Sequence, residues 1–283
     1  MLKRIFLLWA VCALFFCQLA AANSNEPNRQ AKHTIEDSRA YFPPVLMYHD
    51  VKAVPLNYFD VSVEDFCAQL DWLKKAGYQT LSMEEFTAIV QKGQPFPKKS
   101  VVITFDDGYK GIYDYAAPEL KKRGMKATFF IIPDLVGVPD DTYPYITKEE
   151  LKELSSSNLF SIGSHTMSHP HLDQLEAEEK QKEICQSKKV LEEWTGRPVT
   201  SLAFPFGAYD KSVIKEVKAA GYQVSFAVQD RGLLHEKARY SIPRIYVGLE
   251  MGKDNLSLFQ HYVKHYKDMP AAAFVERWEF FEE

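Results

Sequence analysis

The sequence predicts an α/β fold, a parallel sheet covered by helices. Short apolar runs alternate with amphipathic stretches about seven times, which leaves little room for a separate domain. At 283 residues, 46% hydrophobic and 25% charged, the chain has an ordinary globular composition and enough length for a sizeable core. Two of the apolar runs end in unusually polar segments, 104–109 and 164–169, and ligands of parallel sheets gather at the C-terminal strand ends. Periodicity alone leaves a closed barrel and an open doubly wound sheet equally available.

In chain order, the opening MLKRIFLLWAVCALFFCQLAAANS has a basic start at Lys3 and Arg4, an apolar run, and small residues at Ala20 and Ala22. This is a secretory signal pattern over 1–22, cut after Ala22, with an uncleaved membrane anchor as the alternative. No later segment is apolar enough to span a bilayer, so no integral membrane span is expected after cleavage. The expected location is periplasmic or secreted, or membrane-associated if the signal stays. Residues 23–40 are polar and aperiodic and read as a flexible leader, and 41–283 as the functional domain.

Within that domain PVLMY (44–48) reads as a strand, 63–77 as a helix closed by glycine, and YQTLS (78–82) as a second strand. Ser82 with Glu85, and later Thr147 with Glu150, carry the capping-box signature of helix starts. Strands follow at SVVITFDD (100–107), KATFFII (126–132), FSIGSH (160–165), SLAFP (201–205), QVSFAV (223–228) and IPRIYV (242–247). Helices fall between them at about 111–123, from 147, at 176–194 and at 210–220, with a last one at 255–268. The tail 271–283 is aromatic and acidic and either packs on the domain or meets a partner.

The formal net charge of −4 becomes −6 once Lys3 and Arg4 are removed, which argues against a nucleic-acid footprint or a basic membrane patch. No GxGxxG opens the first helix and no GxxxxGK[ST] occurs, so nucleotide binding lacks support. Past the signal only Cys67 and Cys185 remain; they allow one disulfide, with buried free thiols as the other reading. Nothing in the sequence calls for an oligomer, and a monomer is expected.

TFDDGY (104–109) sets two acids side by side at a strand end. Neighbouring strand residues point to opposite faces, so each acid costs desolvation unless water, a metal or a partner receives it. SHTMSHPHL (164–172) holds His165 and His169 four apart, and one helical turn there gives two nitrogen ligands facing one way. The spacing alone is cheap, since His261 and His265 share it on a surface helix. The 165/169 pair stands out because it ends a strand of the same rhythm as the two acids. Two nitrogens and a carboxylate make three ligands with a position left for water.

With TFDDGY, HTMSH followed by Pro170, and AFPFG (203–207), the chain resembles the polysaccharide deacetylase family, the NodB-like carbohydrate esterases, over roughly 44–247. The resemblance implies a deformed (β/α) barrel of about seven parallel strands and metal-dependent deacetylation of an acetylated sugar polymer. Carried over residue by residue, Asp107, His165 and His169 hold the metal, Asp106 is the general base, and the backbone N–H of Tyr109 receives the oxyanion. Zinc is the default ion, and cobalt or nickel suits the same ligands. Pro205, Phe206 and Gly207 line the substrate pocket.

Two features depart from the family pattern: Ala203 stands where an arginine usually orients the base, and no late leucine–histidine motif supplies the acid. In the branch acting on poly-β-1,6-N-acetylglucosamine the acid histidine lies at the front, in a motif similar to PVLMYHDV here, which makes His49 the candidate general acid. Its alternative is a structural histidine. Asp50 either orients His49 or caps the turn. Arg244 in IPRIYV, on the substrate side of the site, is the candidate partner of Asp106, with a structural salt bridge as the alternative. Tyr143 and Tyr145, in the long connection 133–146, either stack on sugar rings or simply pack. The substrate expectation is poly-β-1,6-N-acetylglucosamine, followed by peptidoglycan, chitin oligomers and xylan. A non-catalytic polysaccharide-binding relative and a metallophosphoesterase are the competing classes, and the latter wants more ligands than these strand ends supply.

Overall fold

A computed structural model describes residues 42–228, 238–248 and 255–266. The signal, the leader and the 271–283 tail lie outside the described residues.

Seven parallel strands form the main path of the sheet. They are β1 (Val45–Tyr48), β5 (Ser100–Phe105), β6 (Ala127–Ile131), β7 (Phe160–Ser164), β8 (Ser201–Ala203), β9 (Val224–Phe226) and β10 (Ile245–Tyr246). β10 pairs with β1, and the rest follow in the order 1-5-6-7-8-9. A short β4 (Gln79–Thr80) adds to β5, while β2 (Asp50–Lys52) and β3 (Asp60–Ser62) pair apart from the sheet. Ile242 bridges to Phe226 of β9, and three residues later the chain joins β1. One short run therefore ties both edges of the curled sheet, a deformed barrel.

Helices cover the outside because their ends are locally encoded. Both predicted capping boxes form, Ser82 with Glu85 before the helix Met83–Lys92 and Thr147 with Glu150 before Lys148–Ser156. The 111–123 region differs from expectation: it begins as a wide π-type turn, Ile112–Ala116, before the helix Ala117–Arg123. Such turns are rare and recur beside functional sites, and this one follows the TFDDGY segment directly.

The period-two alternation of the strands sorts residues into two cores. Leu46, Tyr48, Ile103, Phe105, Ile162 and Leu202 point outward to the helices. Val45, Val102, Phe130, Ala203, Phe226 and Ile242 fill the barrel, with Phe42 and Phe86 packed at its base. Continuing the inner parity to the C-terminal ends reaches His49, Asp106, His165 and Arg244. Four polar residues from distant segments are thereby delivered to one rim.

Cys67 and Cys185 are free, but neither is buried: Cys67 is half-exposed and bonded to Glu119, and Cys185 lies on the outward face of the helix Ala177–Thr195. Among the described residues no helix is long and apolar enough to cross a membrane.

Candidate active site

The strand expected to carry both aspartates stops at Phe105. Asp106 keeps the strand's inner parity and hydrogen-bonds through its backbone N–H to Tyr48 O at 2.9 Å. Asp107 takes φ 70°, and the Gly108 N–H closes back onto Asp106 O at 2.9 Å. An i→i+2 bond around a positive-φ centre marks the rare, strained γ-turn. The turn cancels the strand alternation, so the two acids converge instead of pointing apart. His165 Nε2 lies 3.4 Å from Asp107 Oδ1 and 3.8 Å from Asp106 Oδ2.

His165 and His169 are brought together, with ring centroids 4.7 Å apart, but not by the helical turn that the spacing suggested. Thr166 (φ 66°) and His169 (φ 67°) both adopt left-handed backbone and fold the segment into a tight loop. His169 Nε2 reaches to 3.6 Å from Asp107 Oδ1. His165 Nδ1 sits 2.8 Å from Ala203 O, so that nitrogen carries the proton and Nε2 presents its lone pair toward the acids.

A divalent ion fits these residues. Asp107 Oδ1 is buried without a hydrogen-bond partner, and it lies between two imidazole nitrogens that burial keeps neutral. Burial, then His165, drives His169 down to about 3. Burial and then the neighbouring Asp106 push Asp107 up to about 8. One ligand atom from each of the three residues lies within 4.8 Å of the others, a spacing that suits a single cation.

Asp106 is treated differently by its surroundings. Burial alone would raise it, but the charge of Arg244, helped by His165, outweighs that and holds it at about 2. Arg244 donates from Nη1 to Asp106 Oδ1 at 2.7 Å and from Nη2 to Oδ2 at 2.6 Å. Nη1 also donates to Thr104 Oγ1 at 3.2 Å, and Nε donates to Ala227 O at 3.3 Å. Arg244 precedes the two-residue β10 instead of ending a strand, and it is 1% exposed. At that burial its guanidinium contacts are with Asp106, Thr104 and Ala227.

His49 follows β1, half-buried beside Phe59 and Tyr246 at centroid distances of 5.8 and 6.0 Å. Its Nδ1 is buried and unpaired. Burial lowers it to about 4, against an upward pull from Asp106. Asp50 accepts from Val51 N–H and pairs with Lys52. Tyr109 forms an antiparallel bridge with Tyr145 in which the residues on either side exchange the hydrogen bonds, leaving the Tyr109 N–H outside the pairing. Of the 205–207 segment only Phe206 offers surface, 55% exposed, because Pro205 and Gly207 are buried. The Phe206 ring stacks on His171 at 4.0 Å and meets His169 at 4.5 Å. Across the site Phe59, Tyr109, Tyr143 and Tyr145 form a second aromatic wall, in which the two loop tyrosines pack against Tyr109. Glu183, on the long helix, was not singled out by the sequence. It accepts from the backbone of Met167 and Ser168 and so holds the histidine loop, a contact without any local motif to reveal it.

The polysaccharide deacetylase family profile matches residues 93–225. A poly-β-1,6-N-acetyl-D-glucosamine N-deacetylase of Staphylococcus epidermidis is 31% identical over 249 residues, covering 80% of this chain and 84% of the relative. Among solved structures, a Streptococcus pyogenes deacetylase in complex with acetate aligns at TM-score 0.67 and 26% identity, over 76% of this chain and 96% of that one. A polysaccharide deacetylase of Bacillus cereus aligns at 0.65 and 29% identity, over 78% and 68%. Identity at this level along most of the chain, on a barrel with the same parallel-strand architecture, shows that the protein belongs to the polysaccharide deacetylase family of amide-cleaving hydrolases.

Proposed function

We propose that the chain is an exported, metal-dependent N-deacetylase of poly-β-1,6-N-acetylglucosamine, with 1–22 as its signal, 23–40 as a leader and 41–283 as the catalytic domain. The observation that carries the reading is the unlike treatment of two adjacent carboxylates. Asp107 Oδ1 is left without a hydrogen bond between two histidine nitrogens, while Asp106 is clamped in its ionised form by Arg244. A metal site and a general base want those two states.

Asp107, His165 and His169 hold the ion, with zinc the expected identity. When bound it supplies Lewis-acid charge that acidifies water and polarises the acetyl carbonyl. Asp106, fixed by Arg244, accepts the proton from the attacking water; Arg244 uses one direction at each oxygen and leaves others free. The unpaired Tyr109 N–H donates to the developing oxyanion, where a fixed donor is worth about 10²–10³ in rate. The proton taken from water reaches the leaving amine through His49, which the Asp106 charge favours in its protonated form. Phe206 offers an open ring to a sugar face or the acetyl methyl.

The β-1,6 linkage rests on the named activity of the Staphylococcus epidermidis relative and on the position of His49 after the first strand. Acetate release by the zinc-loaded protein from matched β-1,6 and β-1,4 N-acetylglucosamine oligomers tests it. Faster release from the β-1,6 series supports the assignment, and a β-1,4 preference transfers it to chitin-like or peptidoglycan substrates.

A further inference from the structure

The loop between the two histidines is expensive to hold. Thr166 and His169 both sit at positive φ, and for a β-branched residue such as Thr166 that is a genuine outlier. Such a residue is costly and persists only where its surroundings enforce it. The enforcement is visible in the hydrogen bonds. Thr166 N–H donates to Ser164 Oγ at 3.1 Å, and His169 N–H to Thr166 Oγ1 at 3.1 Å. The two central amides, Met167 and Ser168, both donate to Glu183 Oε2, at 2.8 and 2.9 Å. The Ser168 hydroxyl donates to Glu183 Oε1 at 2.7 Å, and Met167 O accepts from Asp134 N–H at 3.1 Å. Consecutive amides turned onto one carboxylate make a backbone nest for an anion, and here the anion is built into the protein.

We propose that Glu183 is a positioning residue that presets the histidine loop in its ligating shape and thereby sets metal affinity, an inference that rests on the metal reading of Asp107, His165 and His169. Glu183 itself touches neither histidine side chain. It acts by satisfying both central amides of a loop that would otherwise relax from its two left-handed residues. Without the carboxylate, His169 has to be ordered at the moment of binding, and the cost appears as weaker affinity. The helix Ala177–Thr195 is thus coupled to the metal site through one side chain.

The experiment is a zinc competition titration against a chromophoric chelator, with the full protein and the variants E183A, E183Q and Q186A, alongside melting of each metal-free protein. Glu183→Ala is expected to weaken zinc about ten- to a hundredfold, the range found when groups supporting metal ligands are removed. Glu183→Gln keeps one acceptor oxygen for the two amides and should fall between Ala and wild type. Gln186→Ala, on the same helix, should bind as wild type. Should E183A fail to fold, E183Q with amide exchange at Met167 and Ser168 carries the test, and faster exchange with weaker zinc is the supporting result. Wild-type affinity in E183A, or in a folded E183Q with faster exchange, overturns the proposal. If the wild-type protein itself takes no zinc, the metal reading fails instead.

Discussion

Arg244 grips both carboxylate oxygens of Asp106, at 2.7 and 2.6 Å, from 138 residues further along the chain, and neither side chain reaches solvent. The family resemblance expects an arginine at the position of Ala203; here the arginine that pairs with Asp106 comes from beside β10. The clamp is both a structural commitment and the reason that Asp106 stays ionised.

Breaking that pair from one side leaves a buried charge without a partner. Arg244→Met should therefore destabilise the protein by about 3–5 kcal/mol in denaturant unfolding. The double variant D106N/R244M should regain most of that stability while remaining inactive, since the base is gone. An R244M protein as stable as wild type would show that the clamp is not what holds the rim together.

Asp107 gives a pH dependence with a defined sign. Burial, then Asp106, lift it from 3.8 to about 8, so the folded metal-free protein holds a proton that the unfolded chain releases. That contribution to stability is fully present below about pH 4 and is lost as the pH rises through about 8. Metal binding needs the carboxylate and expels the proton. Titration calorimetry in two buffers of different ionisation enthalpy should report release of about one proton at pH 6.5. Buffer-independent heats at pH 6.5 would contradict the assignment of Asp107 as a ligand.

His49 should act on turnover and not on the metal. His49→Asn is expected to lower kcat by about 10²–10⁴, the range of general acid catalysis, with zinc affinity unchanged. Equal loss of zinc binding in that variant would make His49 a structural residue of the rim.

Phe206 combines exposure with a strained backbone at φ 56°, a pairing that favours function over packing. Phe206→Asn keeps a residue that tolerates left-handed backbone while removing the ring. It should raise KM for oligomers several-fold and leave the melting temperature close to wild type. An unchanged KM would remove Phe206 from the substrate face.

Much of the architecture was legible because it is encoded locally. Ser82 with Glu85 and Thr147 with Glu150 announce their helices through four side chains, and period-two alternation carries His49, Asp106, His165 and Arg244 to one rim. The Asp106–Arg244 pair could be anticipated because the sequence puts both residues on strands of one barrel, although Arg244 proves to precede β10. What escaped depends on backbone torsion and tertiary packing. The γ-turn at Asp107 reverses the expected divergence of the acids, and the left-handed residues Thr166 and His169 replace the expected helical turn. Both use non-glycine residues at positive φ, which the sequence does not advertise. Glu183 reads as one more charge on a solvated helix until the loop folds onto it.

The central claim is that Asp106 is the base beside a metal held by Asp107, His165 and His169. Acetate release from a β-1,6 N-acetylglucosamine oligomer, measured while zinc is titrated into metal-free wild type, D106N and H165A, tests it most directly. Activity should rise to saturation with zinc in wild type alone, D106N should bind zinc without turning over, and H165A should bind it poorly. Acetate release by D106N at the wild-type rate, or by wild type in excess chelator, would contradict the account.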